Sequence, residues 1–315
     1  KYYQSMLDEF LYDFEKVQAL SKKLQHSLEE GPDSIQVEKS YGIGDCQITY
    51  LKINNESYVL KEMNDESPSE QFLLCIDACA HALAEEMDFP CNRVKLLPAS
   101  TIFPGKTNFT FPATLHSFAV GESTQDNLPW SDFDLHQRIR QPGSLQYEKY
   151  GSLSPENSGL SHIVIQTMSR HQDLQKLAAL DTFVGNADRS LPNIYYDNLS
   201  NCFCGLDLAA AFNQNLSEVA LEQVERIRSC HFSLSAEEIT ALSNYGEILK
   251  NLHSCFGPDI IDGVLAKALI IAGFTTEEHL NQQEVYERYR HHQTIFEKNY
   301  GNIEALTQKI STLNP

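Results

Sequence analysis

The feature that most constrains this chain is a change in the spacing of its apolar residues. Between residues 35 and 63, apolar and polar side chains alternate in three short runs separated by Gly- and Asn-containing turns. Alternation of period two indicates strands, and such turns favour an antiparallel meander. The second half of the chain has apolar residues at helical spacing, interrupted by two short strand-like runs within 194–206. The sequence therefore predicts an α+β fold with a β-rich first part and a helix-rich second part.

Other segments extend this plan. Apolar residues at helical spacing predict helices at 2–28, 68–87 and 161–185. Short apolar runs predict two further strands at 93–97 and 113–120. We expect two lobes with a ligand cleft between them, residues 1–122 forming the small lobe and 123–315 the larger helical lobe.

Helix boundaries are marked by capping residues. Ser235 and Glu238 match the capping box that begins a helix, and a second box begins at Thr275. Gly273 and Gly301 are predicted to end helices, because glycine favours the backbone conformation that follows a last turn.

Composition limits the classes of partner. The chain has 24 Lys and Arg against 43 Asp and Glu, a formal net charge of −19 at pH 7. A surface that negative repels nucleic acid and anionic membranes, so we expect a protein or small-molecule partner and no nucleic acid. No run of about 18 apolar residues occurs, so we expect no transmembrane segment. The eight cysteines include no Cys-x-x-Cys pair, which favours buried thiols in a reducing cytoplasm over zinc ligands or disulfides.

The residues that carry chemistry concentrate between 181 and 209. The segment reads DTFVGNADRSLPNIYYD and then, after a short turn, CFCGLDLA. Asp188 lies in a predicted loop, Asn193 follows as a strand begins, and a second strand leads to Asp207. Because the two strands form a hairpin, we expect Asn193 and Asp207 to converge at one end of it. Amide and carboxylate oxygens suit Mg²⁺ or Mn²⁺ bridging phosphates, and Asp188 would then receive the proton of an attacking hydroxyl.

The pattern Gly-Asn-x-Asp-Arg-x-x-x-Asn-Ile, with a later Asp on an apolar strand, resembles atypical branches of the kinase clan. These branches are the HipA-type toxin kinases, phosphatidylinositol 3- and 4-kinases, actin-fragmin kinases and secretory-pathway kinases. The resemblance implies an atypical two-lobed protein-kinase-like fold and a phosphotransferase that uses ATP with Mg²⁺ or Mn²⁺. It also implies that Asp188 is catalytic and that Asn193 and Asp207 bind the metal. Two departures are Ser190, where lipid kinases have His, and Leu208-Ala209, where a glycine is usual.

The upstream parts that this resemblance implies occur in the expected order. Gly42 and Gly44 lie between two predicted strands, where kinases have a loop over the ATP phosphates. Lys61 ends the third strand and resembles the lysine that contacts the α- and β-phosphates. Its carboxylate partner is expected on the next helix. Glu70 is preferred there for its longer reach, whereas Asp77 aligns better with HipA-like proteins.

The segment 114–122 resembles the hinge whose backbone hydrogen-bonds adenine, with Ser117 and Val120 as the candidate contacts. An ordinary buried strand explains the same segment equally well.

A basic run lies on a late predicted helix in a chain otherwise short of positive charge. Its members are Arg288, Arg290, His291, His292 and Lys298. A solvated helix face explains such a run, and the alternative is a pocket for an anionic regulator.

Together these features favour an ATP- and metal-dependent protein kinase acting on a hydroxyl acceptor. The alternatives are a phosphoinositide or small-molecule kinase, an enzyme that transfers AMP, and a catalytically inactive binding scaffold. The low glycine content, the many Asn, His and Cys residues and the eukaryote-like motifs lead us to expect a bacterial protein that acts inside a host cell.

Overall fold

The computed structural model describes most of the chain. The described residues are 14–25, 35–64, 67–98, 112–124, 171–189, 191–229, 234–274 and 282–313. The predicted α+β class is confirmed, because a five-stranded antiparallel sheet occupies the first part and helices dominate the second.

The predicted meander forms the larger sheet. Its strands are β1 (Ile35–Ile43), β2 (Cys46–Ile53), β3 (Glu56–Met63), β4 (Val94–Leu97) and β5 (Ala113–Ser117), in the order β1-β2-β3-β5-β4. Side chains alternate between the two faces. Leu51, Leu60 and Leu115 belong to the buried apolar cluster on one face. Lys61 lies opposite Ile48 of β2 and is therefore on the other face.

The second sheet contains the predicted hairpin and one short additional strand. Its strands are β6 (Glu122–Ser123), β7 (Ile194–Asp197) and β8 (Cys202–Gly205), in the order β6-β7-β8.

Seven α-helices lie within the described residues. They are α1 (Phe14–Leu24), α2 (Pro68–Glu86), α3 (Gln172–Val184), α4 (Leu216–Ser229), α5 (Ala236–Cys255), α6 (Pro258–Ala272) and α7 (Gln282–Ser311). The Ser235–Glu238 capping box begins α5 as predicted, and Gly273 follows the end of α6 with a φ of 90°. The predicted stop at Gly301 is wrong, because α7 continues through it, whereas Thr275 lies outside the described residues.

Helix α3 begins at Gln172, after a cap in which the His171 side chain accepts a hydrogen bond from the Asp173 N–H. Residues 161–170 of the predicted helix, and 2–13 and 26–28 of the first one, lie outside the described residues.

Helix α2 is apolar on nearly all sides, which is the pattern of a buried helix. Phe72, Ile76 and Leu83 are at most 1 % exposed, and two polar residues, Asp77 and His81, are equally buried. A buried carboxylate requires a partner, so this helix indicates where the chemistry lies.

The chain forms two compact units. The first comprises Lys1–Ala119, Asp207–Ala209 and Pro258–Gln293, and the second comprises Val120–Leu206, Ala210–Gly257 and Thr294–Pro315. In the first unit α1, α2 and α6 pack together beside the larger sheet, and in the second α3 packs against α5 and β8. No described helix is both long and apolar enough to cross a membrane.

Candidate active site

Lys61 lies near the end of β3 and is 9 % exposed. Its Nζ is 3.2 Å from Asp207 Oδ1, although the two residues are 146 positions apart in the sequence. Burial alone would lower the pKa of Lys61, but the carboxylates of Asp77 and Asp207 outweigh burial and raise the pKa above its ordinary value. The side chain is therefore a charged ammonium held between two acidic residues.

Asp207 has a backbone conformation that is uncommon for a residue with a side chain. Its φ is 49°, in the left-handed region. Asp tolerates this region because its side chain can hydrogen-bond locally, and Oδ1 of Asp207 accepts from the Ala209 N–H at 3.2 Å. Such outliers persist where the surroundings enforce them and often mark functional positions.

Asp77 is fully buried and interacts with Lys61 and with the segment that carries Asp207. Its Oδ1 accepts from the Leu208 N–H at 2.8 Å and lies 3.0 Å from His81 Nδ1. Its Oδ2 has no hydrogen-bond partner, and His116 Nε2 is 3.7 Å away. Burial alone would raise the pKa of Asp77, but the charge and hydrogen bond of His81 and the charge of Lys61 hold it well below its ordinary value. Asp77 thus connects β3, which carries Lys61, to the segment that carries Asp207.

The preferred partner of Lys61, Glu70, is placed elsewhere. Its Oε1 is 3.0 Å from Arg288 Nη1. Glu70 belongs to the first turn of α2, whereas Asp77 lies two turns further along the helix and acts electrostatically on Lys61. The alternative residue is therefore the one beside the lysine. Position along the buried helix, rather than side-chain reach, decides the pairing.

Two histidines complete the buried cluster around Asp77. His81 Nε2 is 3.1 Å from Asn92 Oδ1, and the Asn92 amide donates to the Ser117 carbonyl at 3.4 Å. His116 Nε2 lies 2.8 Å from Thr114 Oγ1, and burial lowers the pKa of His116 to about 4. His116 is therefore uncharged at neutral pH.

The glycine segment is a tight turn between β1 and β2. Gly44 has a φ of +54°, which is strained for any residue with a side chain, and Gly42 is the last but one residue of β1. Asp45 O accepts from the Asn64 N–H at 2.7 Å, and Gly44 O accepts from the Asn64 amide at 3.4 Å. Gly44 thus has a local structural role, whatever it contacts in a ligand.

The backbone of Ser117 is engaged inside the protein. Its N–H donates to the Arg93 carbonyl at 2.8 Å, and its Oγ accepts from the Arg93 N–H at 2.9 Å. The Ser117 N–H is therefore not available to an adenine base. Val120, the other candidate hinge contact, is 69 % exposed, and Phe118 between them is 51 % exposed.

A row of aromatic rings lies on the same face of the larger sheet as Lys61. Tyr41 stacks on Tyr50 with ring centroids 5.8 Å apart, and Phe118 meets Tyr50 edge-on at 6.0 Å. Lys39 Nζ lies 4.5 Å from the Tyr50 ring centroid. Tyr50 pairs across the ladder with Val59, two residues from Lys61. This face of the sheet thus carries flat aromatic rings next to the cationic side chain of Lys61.

Asp188 and Asn193 belong to the second unit, in the loop between α3 and β7. Asp188 is exposed, and its N–H donates to Asn186 Oδ1 at 3.3 Å. The Asn193 side chain donates to the Asp188 carbonyl at 3.1 Å through its amide nitrogen, so that bond does not use Oδ1. The Leu206 N–H donates to the main-chain carbonyl of Asn193 at 2.8 Å, and Asp207 is the next residue in the chain.

Asn193 and Asp207 each carry side-chain oxygen, the ligand atom that hard divalent cations prefer. Both residues present oxygen, and Mg²⁺ is typically bound by one or two carboxylates together with substrate phosphates. Within the part of the chain that the structure describes, no group of three or more His, Cys, Asp or Glu residues is arranged to hold a metal ion.

The basic run on α7 is distributed around the helix. Arg288 pairs with Glu70, Arg290 with Gln293, and buried His292 packs on Phe72 with ring centroids 5.5 Å apart. His291 and Lys298 are exposed. The anionic regulator stays a prediction.

Several residues of the site have no role in the sequence interpretation: His81, His116, Asp181 and Arg189. The available signal was a polar residue inside an otherwise apolar run, since Asp77 and His81 are spaced i, i+4 on a buried helix and Asp181 lies in a buried stretch of α3.

No family model matches the chain, and no curated protein matches it significantly in sequence. Among solved structures it is similar to the Helicobacter pylori proinflammatory kinase CtkA, with 13% identity and a TM-score of 0.46, covering 90% of this chain and 97% of that one. It is also similar to a putative aminoglycoside phosphotransferase from Ralstonia eutropha JMP134, with 11% identity, a TM-score of 0.32 and coverages of 93% and 98%. A third is a thermostable mutant of aminoglycoside phosphotransferase APH(4)-Ia in a complex with ADP and hygromycin B, with 11% identity, a TM-score of 0.26 and coverages of 88% and 94%.

Proposed function

We propose that this protein is an ATP- and divalent-metal-dependent phosphotransferase, and that its acceptor is a hydroxyl group on a protein. The observation that carries the proposal is the contact between Lys61 and Asp207. The kinase-like pattern assigns one residue to the ATP phosphates and the other to the metal, and they lie 3.2 Å apart although 146 positions separate them. This proximity of two residues from separate motifs supports the proposal.

The supporting residues have chemistry that suits a nucleotide. The charged ammonium of Lys61 would bind phosphate oxygens, and the carboxylate of Asp77 would help to orient the ammonium. The aromatic row of Tyr41, Tyr50 and Phe118 offers flat apolar surfaces to a purine base.

Asp188 would accept the proton of the acceptor hydroxyl, because its side chain is exposed and its backbone is held on both sides by Asn186 and Asn193. Asn193 and Asp207 would bind Mg²⁺ or Mn²⁺, which when bound neutralises charge on the phosphates. Positioning and charge neutralisation supply most of the catalysis in phosphoryl transfer, so loss of either aspartate should nearly abolish it.

The acceptor class rests on charge. A protein with a net charge of −19 is repelled by anionic membranes, which disfavours phosphoinositide substrates. A basic protein segment would instead be attracted.

The test combines labelling with binding. The purified protein is incubated with γ-³²P-ATP or α-³²P-ATP, Mg²⁺ or Mn²⁺ and a host-cell extract, beside Asp188→Ala, Asp207→Ala and Lys61→Met. Lys52→Met is the matched control, since Lys52 lies on the neighbouring strand and pairs with exposed Glu38. We expect protein labelled from the γ-phosphate only, lost in the three variants and kept in the control. A metal-dependent rise in Tm of about 5 °C with saturating ATP is expected in parallel.

The alternatives give different results. Label from the α-phosphate would replace the proposal with AMP transfer, and label in the lipid fraction would replace it with a phosphoinositide kinase. No label and no nucleotide-dependent change in Tm would leave a binding scaffold.

A further inference from the structure

Arg189, the residue after Asp188, is buried, which is unusual for a side chain with a guanidinium group. Its side chain is 4 % exposed, and that of its partner Asp181 is 1 % exposed. Nε of Arg189 donates to Asp181 Oδ2 at 2.9 Å, and Nη2 donates to Asp181 Oδ1 at 2.8 Å. This two-pronged pair attaches the loop to the last turns of α3 and fixes the plane of the guanidinium.

The third nitrogen of Arg189 points to the hairpin. Nη1 donates to the main-chain carbonyl of Asn193 at 3.1 Å and to the Leu206 carbonyl at 2.7 Å. Asn193 immediately precedes β7, and Leu206 immediately follows β8. The Leu206 carbonyl belongs to the peptide bond that leads into Asp207. One nitrogen therefore holds the main chain at both positions from which the proposed metal ligands extend.

Gly205 of β8 packs closely against the guanidinium of Arg189. A Cβ at Gly205 would lie 2.6 Å from Leu177 Cδ2 and 3.0 Å from Arg189 Nη1. The first contact is with the flexible end of the Leu177 side chain, whereas the second is tight against a guanidinium that its hydrogen bonds hold in place, so an added methyl group at Gly205 would push on Arg189. This packing is independent of the hydrogen bonds and indicates the same position for the guanidinium.

We infer that Arg189 is a positioning residue for the metal-binding residues Asn193 and Asp207. The inference rests on the proposed function and adds to it the group that holds the main chain at Asn193 and at Leu206, the residue before Asp207. Lysine cannot replace this arginine, because a single ammonium cannot pair with both Asp181 oxygens and still reach two carbonyls in the plane of a fork. Groups that orient metal ligands in this way typically change metal affinity by about 10- to 100-fold when mutated.

The test measures metal binding rather than turnover. The dissociation constant of ADP is determined by calorimetry with Mn²⁺ and without metal, for the wild-type protein, Arg189→Lys and Gly205→Ala. Gly257→Ala is the matched control, because a Cβ at Gly257 would meet nothing within 4 Å. Thermal unfolding of each protein is recorded alongside.

We expect Arg189→Lys and Gly205→Ala to weaken Mn²⁺-dependent ADP binding by about tenfold or more, while metal-free ADP binding stays within about twofold. Wild-type affinity for Mn²⁺ and ADP in both variants would overturn the inference. So would an equal loss of ADP affinity with and without Mn²⁺, since that reports a general structural role. Should Arg189→Lys not fold, Gly205→Ala decides the question alone. Failure of the wild-type protein to bind ADP with Mn²⁺ would instead contradict the proposed function.

Discussion

At the scale of single residues, the central observation is a buried charge cluster rather than an isolated motif. Lys61 is held between Asp77 and Asp207, and Asp77 is in turn bonded to His81 and to the backbone of Leu208. Buried charges are costly unless they are paired, so each member of such a cluster depends on the others.

Replacing Asp77 tests this dependence. Asp77→Asn keeps the shape but removes the negative charge between Lys61 and His81, and we expect a loss of about 3 kcal/mol in the free energy of unfolding. ATP binding should weaken as well, because Lys61 loses one of its two carboxylate partners. Glu70→Gln is the control and should cost less than about 1 kcal/mol, since its pair with Arg288 is about one-third exposed. Urea denaturation and calorimetry measure both effects, and equal losses in the two variants would contradict the assignment of Asp77.

His116 predicts a dependence of stability on pH. Its pKa is lowered from 6.5 to about 4, because burial and the charges of Lys61 and His81 outweigh the attraction of Asp77 and Asp207. The folded protein therefore binds this proton more weakly than the unfolded chain. The contribution to stability is complete above pH 6.5 and is lost as the pH falls toward 4, by about 3 kcal/mol at most.

The measurement is urea denaturation between pH 7 and pH 4. His116→Gln should remove this part of the pH dependence, whereas His291→Gln, which replaces an exposed ring on α7, should leave it in place. An unchanged dependence in His116→Gln would show that other groups cause the acid destabilisation.

At the scale of elements, local signals define the boundaries where a side chain closes a helix or a turn. Ser235 and Glu238 form a complete capping box at the start of α5, with the Ser235 N–H donating to Glu238 Oε2 at 2.7 Å. Gly301 fails as a stop because α7 continues on both sides of it, with Phe296 and Ile303 buried. Packing of an apolar face overrides the low helix propensity of one glycine.

The capping box gives a direct stability prediction. Ser235→Ala leaves the Glu238 N–H without its side-chain acceptor and should lower the free energy of unfolding by about 1 kcal/mol. Ser254→Ala is the control in the same helix, because the exposed Ser254 hydroxyl donates to the Asn251 carbonyl within the last turns and does not cap the helix start. Urea denaturation of the two variants measures the difference, and an equal cost would show that the box contributes nothing of its own.

At the scale of the whole molecule, the two compact units are not continuous in sequence. Asp207–Ala209 and Pro258–Gln293 group with the amino-terminal sheet, whereas Asp188 and Asn193 belong to the other unit.

The second global property is charge. The net charge of −19 is spread over a chain with few basic residues, and such a field raises the encounter rate with basic partners.

This charge predicts a preference among protein acceptors. If the acceptor is a protein, a basic one such as histone should be labelled faster than an acidic one such as casein. Raising the salt concentration from about 20 mM to about 200 mM should reduce the ratio several-fold, because the Debye length shortens and screens the attraction. Initial rates of γ-³²P transfer measure the ratio. A preference for the acidic acceptor, or a ratio independent of salt, would show that the overall charge does not select the partner.

The sequence by itself determined the fold class, most of the described strands and helices, and the capping box at Ser235. These features depend on periodicity and on side chains a few positions apart, so they can be read from a short window of the chain. Short motifs and their resemblance to the kinase clan singled out Lys61, Asp188, Asn193 and Asp207 as candidates. They did so one motif at a time.

Only the tertiary structure decided which of these residues meet and which groups support them. The contact between Lys61 and Asp207 spans 146 positions, and that between Leu208 and Asp77 spans 131. Position along α2 places Asp77 rather than Glu70 beside Lys61, and Gly205 of β8 packs closely against the guanidinium of Arg189. Pairing of buried charges depends on desolvation and on the packing of elements distant in sequence, and neither quantity is present in a local pattern.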